Sequence, residues 1–100
     1  MEVKIEEIDG KYVVTFNGEM DTLASADVEK KLQPFYKSDG KDIIFDCKHL
    51  DYIASSGLRI LVGILKAARQ TGNHVVLRSI SSDIREVLTL TGLINIFEIS

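Results

Sequence analysis

Lys41-Asp42-Ile43-Ile44-Phe45-Asp46 opens the stretch that decides the fold, and Ser55-Ser56-Gly57-Leu58-Arg59-Ile60-Leu61 follows after a polar interval. The run Ile43-Ile44-Phe45 is short, continuous and apolar, which suits a central strand covered on both faces. From Ser56 to about Thr71 the apolar residues Leu58, Leu61, Val62, Leu65 and Ala68 fall on one helical stripe. Gly72 then suits the left-handed position that ends a helix. Residues 74–78, His-Val-Val-Leu-Arg, predict the next strand. A strand, a helix and a strand in succession form the unit of a parallel sheet, so the class is α/β.

Working outward, residues 3–8 begin as apolar/polar alternation and predict a half-exposed strand. Asp9-Gly10 is a hairpin signal, and residues 11–17, Lys-Tyr-Val-Val-Thr-Phe-Asn, predict a second strand ended by Gly18. Thr22 to Tyr36 reads as a helix capped by Asp21 or Thr22, with Val28, Leu32, Phe35 and Tyr36 on one face. Pro34 removes a backbone donor inside that helix, which predicts a kink or an early end near Gln33. Ser38-Asp39-Gly40 reads as a loop. Beyond the decisive stretch, Ser81 or Ser82 caps a third helix through about Leu90, with Ile84, Val87 and Leu88 facing inward. Gly92 ends it, and Ile94 to Ile99 offers a last edge strand. The order is β-β-α-β-α-β-α-(β): one domain over 1–100, with a mixed, mainly parallel sheet of four to five strands and an antiparallel addition at the front.

Composition narrows the function. One hundred residues suffice for a single core, and 45% apolar content is ordinary for one. A net charge of −3, with no basic run, argues against nucleic acid as a partner. No stretch approaches the ~20 consecutive apolar residues of a membrane helix, and the start of the chain has no apolar run suited to a signal peptide. The chain therefore reads as soluble and cytoplasmic. Cys47 is a lone cysteine after an apolar run and reads as a half-buried structural thiol. Cys47 and His49 have no second ligand pair nearby, so no metal site is expected, and no glycine-rich phosphate cradle suggests a cofactor.

Chemistry in open α/β sheets gathers at the carboxyl ends of the strands. Three segments there lead into helix starts: Asn17–Thr22, Asp46–Leu58 and Ser79–Asp83. In the middle one, Ser55 and Ser56 are followed three residues later by Leu58 and Arg59, so no capping box forms. One serine can be a plain N-cap. A free hydroxyl here also suits phosphorylation, because a helix start offers unpaired N–H donors and a positive dipole end to a dianion. Arg59, four residues beyond Ser55, is within reach of such a phosphate. A hydrolase is disfavoured: Ala54-Ser55-Ser56-Gly57 is not a nucleophile elbow, and His49 and His74 are the sole imidazoles. No catalytic residue is therefore assigned. Beside the core stripe, Ile60, Ile64 and Ala67 form a second apolar strip, which either packs on a neighbouring helix or makes an exposed contact surface.

Four segments in order carry a resemblance: Gly18-Glu19-Met20-Asp21, Ile43-Ile44-Phe45-Asp46, Asp51 through Leu61, and Thr91-Gly92-Leu93 with Phe97. The chain resembles the STAS domains, named for sulfate transporters and anti-sigma factor antagonists, and among them the stand-alone bacterial anti-anti-sigma factors. The resemblance implies a regulator rather than an enzyme. It implies that an anti-sigma factor with serine kinase activity phosphorylates Ser55, and that the unphosphorylated form binds it and releases a sigma factor. A metal-dependent serine phosphatase would reset the state. Asp21, Ser55, Ser56, Gly57, Leu58 and Arg59 are the implied partner-contacting residues, with Ser55 the acceptor and Ser56 serving the fold. Family members often carry Asp or Ser before the acceptor, where this chain has Ala54. The alternative is a STAS subunit of a lipid-transport ATPase or another scaffold, with Ser55 unmodified.

Overall fold

The computed structural model describes residues 1–37 and 40–100, so the expected loop at Ser38 and Asp39 lies outside the described residues. The elements among them are β1 (Glu2–Ile8), β2 (Lys11–Met20), α1 (Thr22–Lys31), β3 (Ile43–Ile53), α2 (Ser55–Gln70), β4 (Val75–Arg78), α3 (Ser82–Leu90) and β5 (Glu98–Ile99). They form a five-stranded sheet in the order β1-β2-β3-β4-β5. β1 and β2 pair antiparallel across the Asp9-Gly10 turn, and the remaining pairs are parallel.

The strand order never reverses. Right-handed crossovers from β2 to β5 therefore place every helix on the same side of the sheet. That side holds the core: Val14, Phe16, Ile43, Phe45, Val75 and Leu77 from the strands meet Val28, Leu61, Ile64, Ile84 and Leu88 from the helices. Phe16 and Phe45 stack with ring centroids 5.5 Å apart. The other face carries no helix among the described residues. A row Glu6–Val13–Ile44–Val76–Glu98 crosses it from strand to strand, and none of these residues belongs to the core cluster. The ion pair Arg78–Asp46 at 3.0 Å lies in the next row. Burial works against the Asp46 charge, but the Lys48 N–H and the Arg78 guanidinium outweigh it and hold its carboxyl below the ordinary value.

Pro34 acts as its chemistry demands. α1 ends at Lys31, and Gln33–Tyr36 continue as a 3-10 turn with Pro34 at its start. α3 takes Ser81 as its cap, whose Oγ accepts from the Ile84 N–H at 3.2 Å. The last strand is shorter than expected, because Leu93–Asn95 form a 3-10 turn and leave Glu98–Ile99 alone to pair with β4.

Two strands run longer than the alternation predicts. Gly18 does not end β2, which continues to Met20, and β3 does not end near Asp46 but reaches Ile53. The register explains why. Thr15 pairs with Asp46 and Asn17 with His49, then Gly18 pairs with Leu50 and Glu19 with Tyr52. At each step β3 carries one residue more than β2, so two bulges interrupt its alternation. Cys47, Leu50 and Ile53 consequently face the core every third residue. Gly18 sits between the bulges at φ +116, a backbone conformation that side chains resist.

Candidate functional site

β2 and β3 outlast the rest of the sheet. β4 pairs with β3 only as far as Arg78 opposite Asp46, whereas the β2–β3 ladder continues to Met20 opposite Ile53. The Ala54 N–H then donates to the Met20 carbonyl at 2.8 Å, tying the β2–α1 junction to the β3–α2 junction. Two of the three expected segments thus meet at one tip. The third, Ser79–Asp83, leaves the sheet at the level of Asp46 and does not join them.

On the α1 side, Asp21 is the cap. Its Oδ1 accepts from the Ala24 N–H at 2.8 Å, and the buried Ser25 hydroxyl donates to its carbonyl at 2.7 Å. The carboxylate is otherwise exposed. On the α2 side neither serine is the cap. Ala54 occupies that position in extended backbone, with no side-chain hydrogen bond, and Ser55 and Ser56 are the first residues of the helix itself. The first turn of α2 has no acidic side chain either. No side chain caps the start of this helix, and Ser55 is exposed there. Ser56 is half-buried, and its Oγ lies buried with no hydrogen-bond partner.

Gly57 sets how closely the junctions approach. A Cβ there would stand 2.7 Å from Met20 Sδ and 2.8 Å from Ile53 Cγ1. Gly57 and Leu58 are buried and shape the turn from within, whereas Asp21, Ser55 and Arg59 present their side chains outward. Arg59 lines a groove between α1 and α2 with Glu29, Gln33, Tyr36, Ile60 and Gly63. Two exposed apolar residues escape the sequence reading: Leu23 in the first turn of α1 is 86% exposed, and Tyr52 near the end of β3 is 50% exposed. Their signal was a single apolar residue beside a cap and one in an irregular stretch, and neither follows a period.

The second apolar strip of α2 is not an exposed surface. Ile60 and Ile64 are fully buried in the core that includes α1, and Ala67 is half-buried. Cys47 is likewise deeper than expected, at 1% exposure, with its thiol 3.5 Å from the Phe45 carbonyl. Burial, and then the neighbouring Asp46 charge, push that thiol up to about 12. Ser55 has no hydrogen-bonded base among the described residues; His49 sits beside Asn17 and His74 pairs with Glu98 at 2.9 Å before β4. No group of three His, Cys, Asp or Glu able to hold a metal occurs among the described residues. No helix among them is long and apolar enough to cross a membrane.

Fold and site together define a two-layer α/β domain that presents a hydroxyl at a helix start beside a carboxylate. The chain belongs to the STAS domain family, whose model matches residues 2–100. It is 28% identical over 89 residues to a Staphylococcus aureus protein named anti-sigma-B factor antagonist, covering 89% of this chain and 82% of that one. An anti-sigma factor antagonist from Mycobacterium paratuberculosis, 27% identical, superposes with a TM-score of 0.81 over 98% of this chain and 83% of the other. The Bacillus cell fate determinant SpoIIAA in its phosphorylated form shares the fold at a TM-score of 0.75 and 20% identity, covering 99% of this chain and 91% of that one.

Proposed function

We propose that this chain is an anti-sigma factor antagonist whose docking is switched off by phosphorylation of Ser55. The observation that carries the reading is the exposed Ser55 hydroxyl on an uncapped helix start, tied through the Met20–Ala54 hydrogen bond to the exposed Asp21 carboxylate. The names of its relatives and the phosphorylated state of SpoIIAA support it. The partner is an anti-sigma factor with serine kinase activity, and a metal-dependent serine phosphatase restores the free hydroxyl. The chain acts by binding, in the cytoplasm, and catalyses nothing itself.

The physics of the switch is simple. A phosphate adds about −1.5 to −2 charges to the docking surface. Uncapped N–H groups and the helix dipole accommodate it, so the fold survives while a partner fitted to the neutral hydroxyl does not. A loss of ~2.7 kcal/mol weakens binding roughly a hundredfold.

The test uses the anti-sigma factors of the source organism, each assayed for binding to this protein. Ser55→Ala binds it and stays bound in the presence of ATP. Ser55→Asp binds more weakly, and mass spectrometry after kinase treatment finds one phosphate, on Ser55. A folded Ser55→Ala that no longer binds would defeat the reading. So would a co-purifying transport ATPase with Ser55 unmodified, which points to the scaffold role instead.

A further inference from the structure

Arg59 stands out because no ion pair occupies it among the described residues and because it sits one helical turn beyond Ser55. Residues four apart on a helix are surface neighbours, with Cβ atoms about 5–6 Å apart. Arg59 lies in the groove beside Tyr36 and Gly63; because helical side chains lean toward the N-terminus, a rotamer change suffices to bring it back over the turn that carries Ser55. We infer that a phosphate on Ser55 captures the Arg59 guanidinium and withdraws it from the groove between α1 and α2. The inference rests on the reading of Ser55 as the phosphate acceptor and adds how that charge is read.

The surroundings favour the capture. The other charged or titratable groups toward this tip include Glu19 and Asp21 on the β2–α1 side, Lys48, His49, Asp51 and Tyr52 on β3, and Glu29 across the groove. The carboxylates among them oppose a dianion. Arg59 is the cation on the same turn, and its planar fork matches two phosphate oxygens at once. Before modification, the charged groove-lining residues are Arg59 and Glu29; after it, Glu29 remains. Phosphorylation then changes the surface twice, adding negative charge at Ser55 and removing positive charge from the neighbouring groove. A partner carboxylate that pairs with Arg59 loses its cation as well as meeting the phosphate.

The test installs phosphoserine at position 55 by semisynthesis and follows the phosphate by phosphorus NMR. A nearby cation favours the dianion, so the second phosphate pKa falls. It is expected to lie about 0.3 unit lower in the unsubstituted protein than in Arg59→Gln, a twofold change in proton affinity of the size an exposed helical pair gives. Arg59→Lys falls between the two. The Arg59 Nε–H resonance moves on phosphorylation, and added salt shrinks both effects. Equal pKa values with and without Arg59, or an unmoved Nε–H, overturn the inference. Because the phosphate is installed chemically, a kinase that ignores Ser55 refutes the proposed function and leaves this measurement untouched.

Discussion

A missing side chain governs the site at the scale of single residues. Met20 is 0% exposed and Ile53 4%, so neither can swing out to admit a Cβ at Gly57. Gly57→Ala is expected to cost about 1–3 kcal/mol as overpacking. For a domain of this size each kcal/mol lowers Tm by roughly 4–8 °C, which thermal unfolding will read. The same substitution pushes the first turn of α2 away from β2, so it also weakens docking without touching Ser55. Cys47 gives a second prediction at this scale. With its thiol pushed up to about 12, it resists iodoacetamide at pH 8 in the folded protein and reacts once urea unfolds the chain. Ser55 and Arg59 were both legible in the sequence, four residues apart at a helix start. The cap was not, because a serine at a helix start looks the same whether it caps the helix or lies one step inside it.

Elements show what local pattern can and cannot disclose. α2 and α3 were readable because each keeps its 3.6-residue period and stops just before Gly72 or Gly92, and α1 because Asp21 caps it and Pro34 lies just past its end. β2 and β3 were readable only in part. The two bulges give β3 a three-residue spacing that matches neither a strand nor a helix, and only the ladder with β2 reveals it. Asp21 joins an element to the site, since one carboxylate both caps α1 and faces outward. Asp21→Ala should cost about 1 kcal/mol of stability through the lost cap, while Asp21→Asn keeps most of it. If the carboxylate also docks the partner, Asp21→Asn weakens binding despite its intact stability, and calorimetry with the anti-sigma factor separates the two roles. Asp42 ties the starts of β3 and β4. The His74 N–H donates to it at 2.9 Å, the larger cause of its lowered pKa; burial opposes the charge, and the Asn73 amide adds a bond at 3.2 Å. A carboxyl depressed by folding contributes stability above its unfolded value, near 3.9, and loses it as pH falls through the folded value. Urea midpoints should therefore drop on acidification below about pH 4, and Asp42→Asn should flatten part of that drop.

The whole molecule supports one small tip. Its helices share one face because the strand order never reverses, a property that follows from pairing between distant segments and that no local stretch reveals. Ser55 stands outside the core, on a junction held by the Met20–Ala54 hydrogen bond and by close packing at Gly57. Phosphorylation should consequently move amide resonances at residues 19–23 and 53–60 and leave β1, β4 and α3 unchanged in a two-dimensional NMR spectrum. Shifts spread over the sheet would mean that the phosphate acts by refolding the domain. A tip pinned at its junction has a consequence for timing. A signal held as an alternative conformation decays as fast as the chain can rearrange, commonly within microseconds to seconds. A signal held as a phosphate ester lasts until an enzyme removes it, so the domain serves as a written mark whose lifetime its partners set.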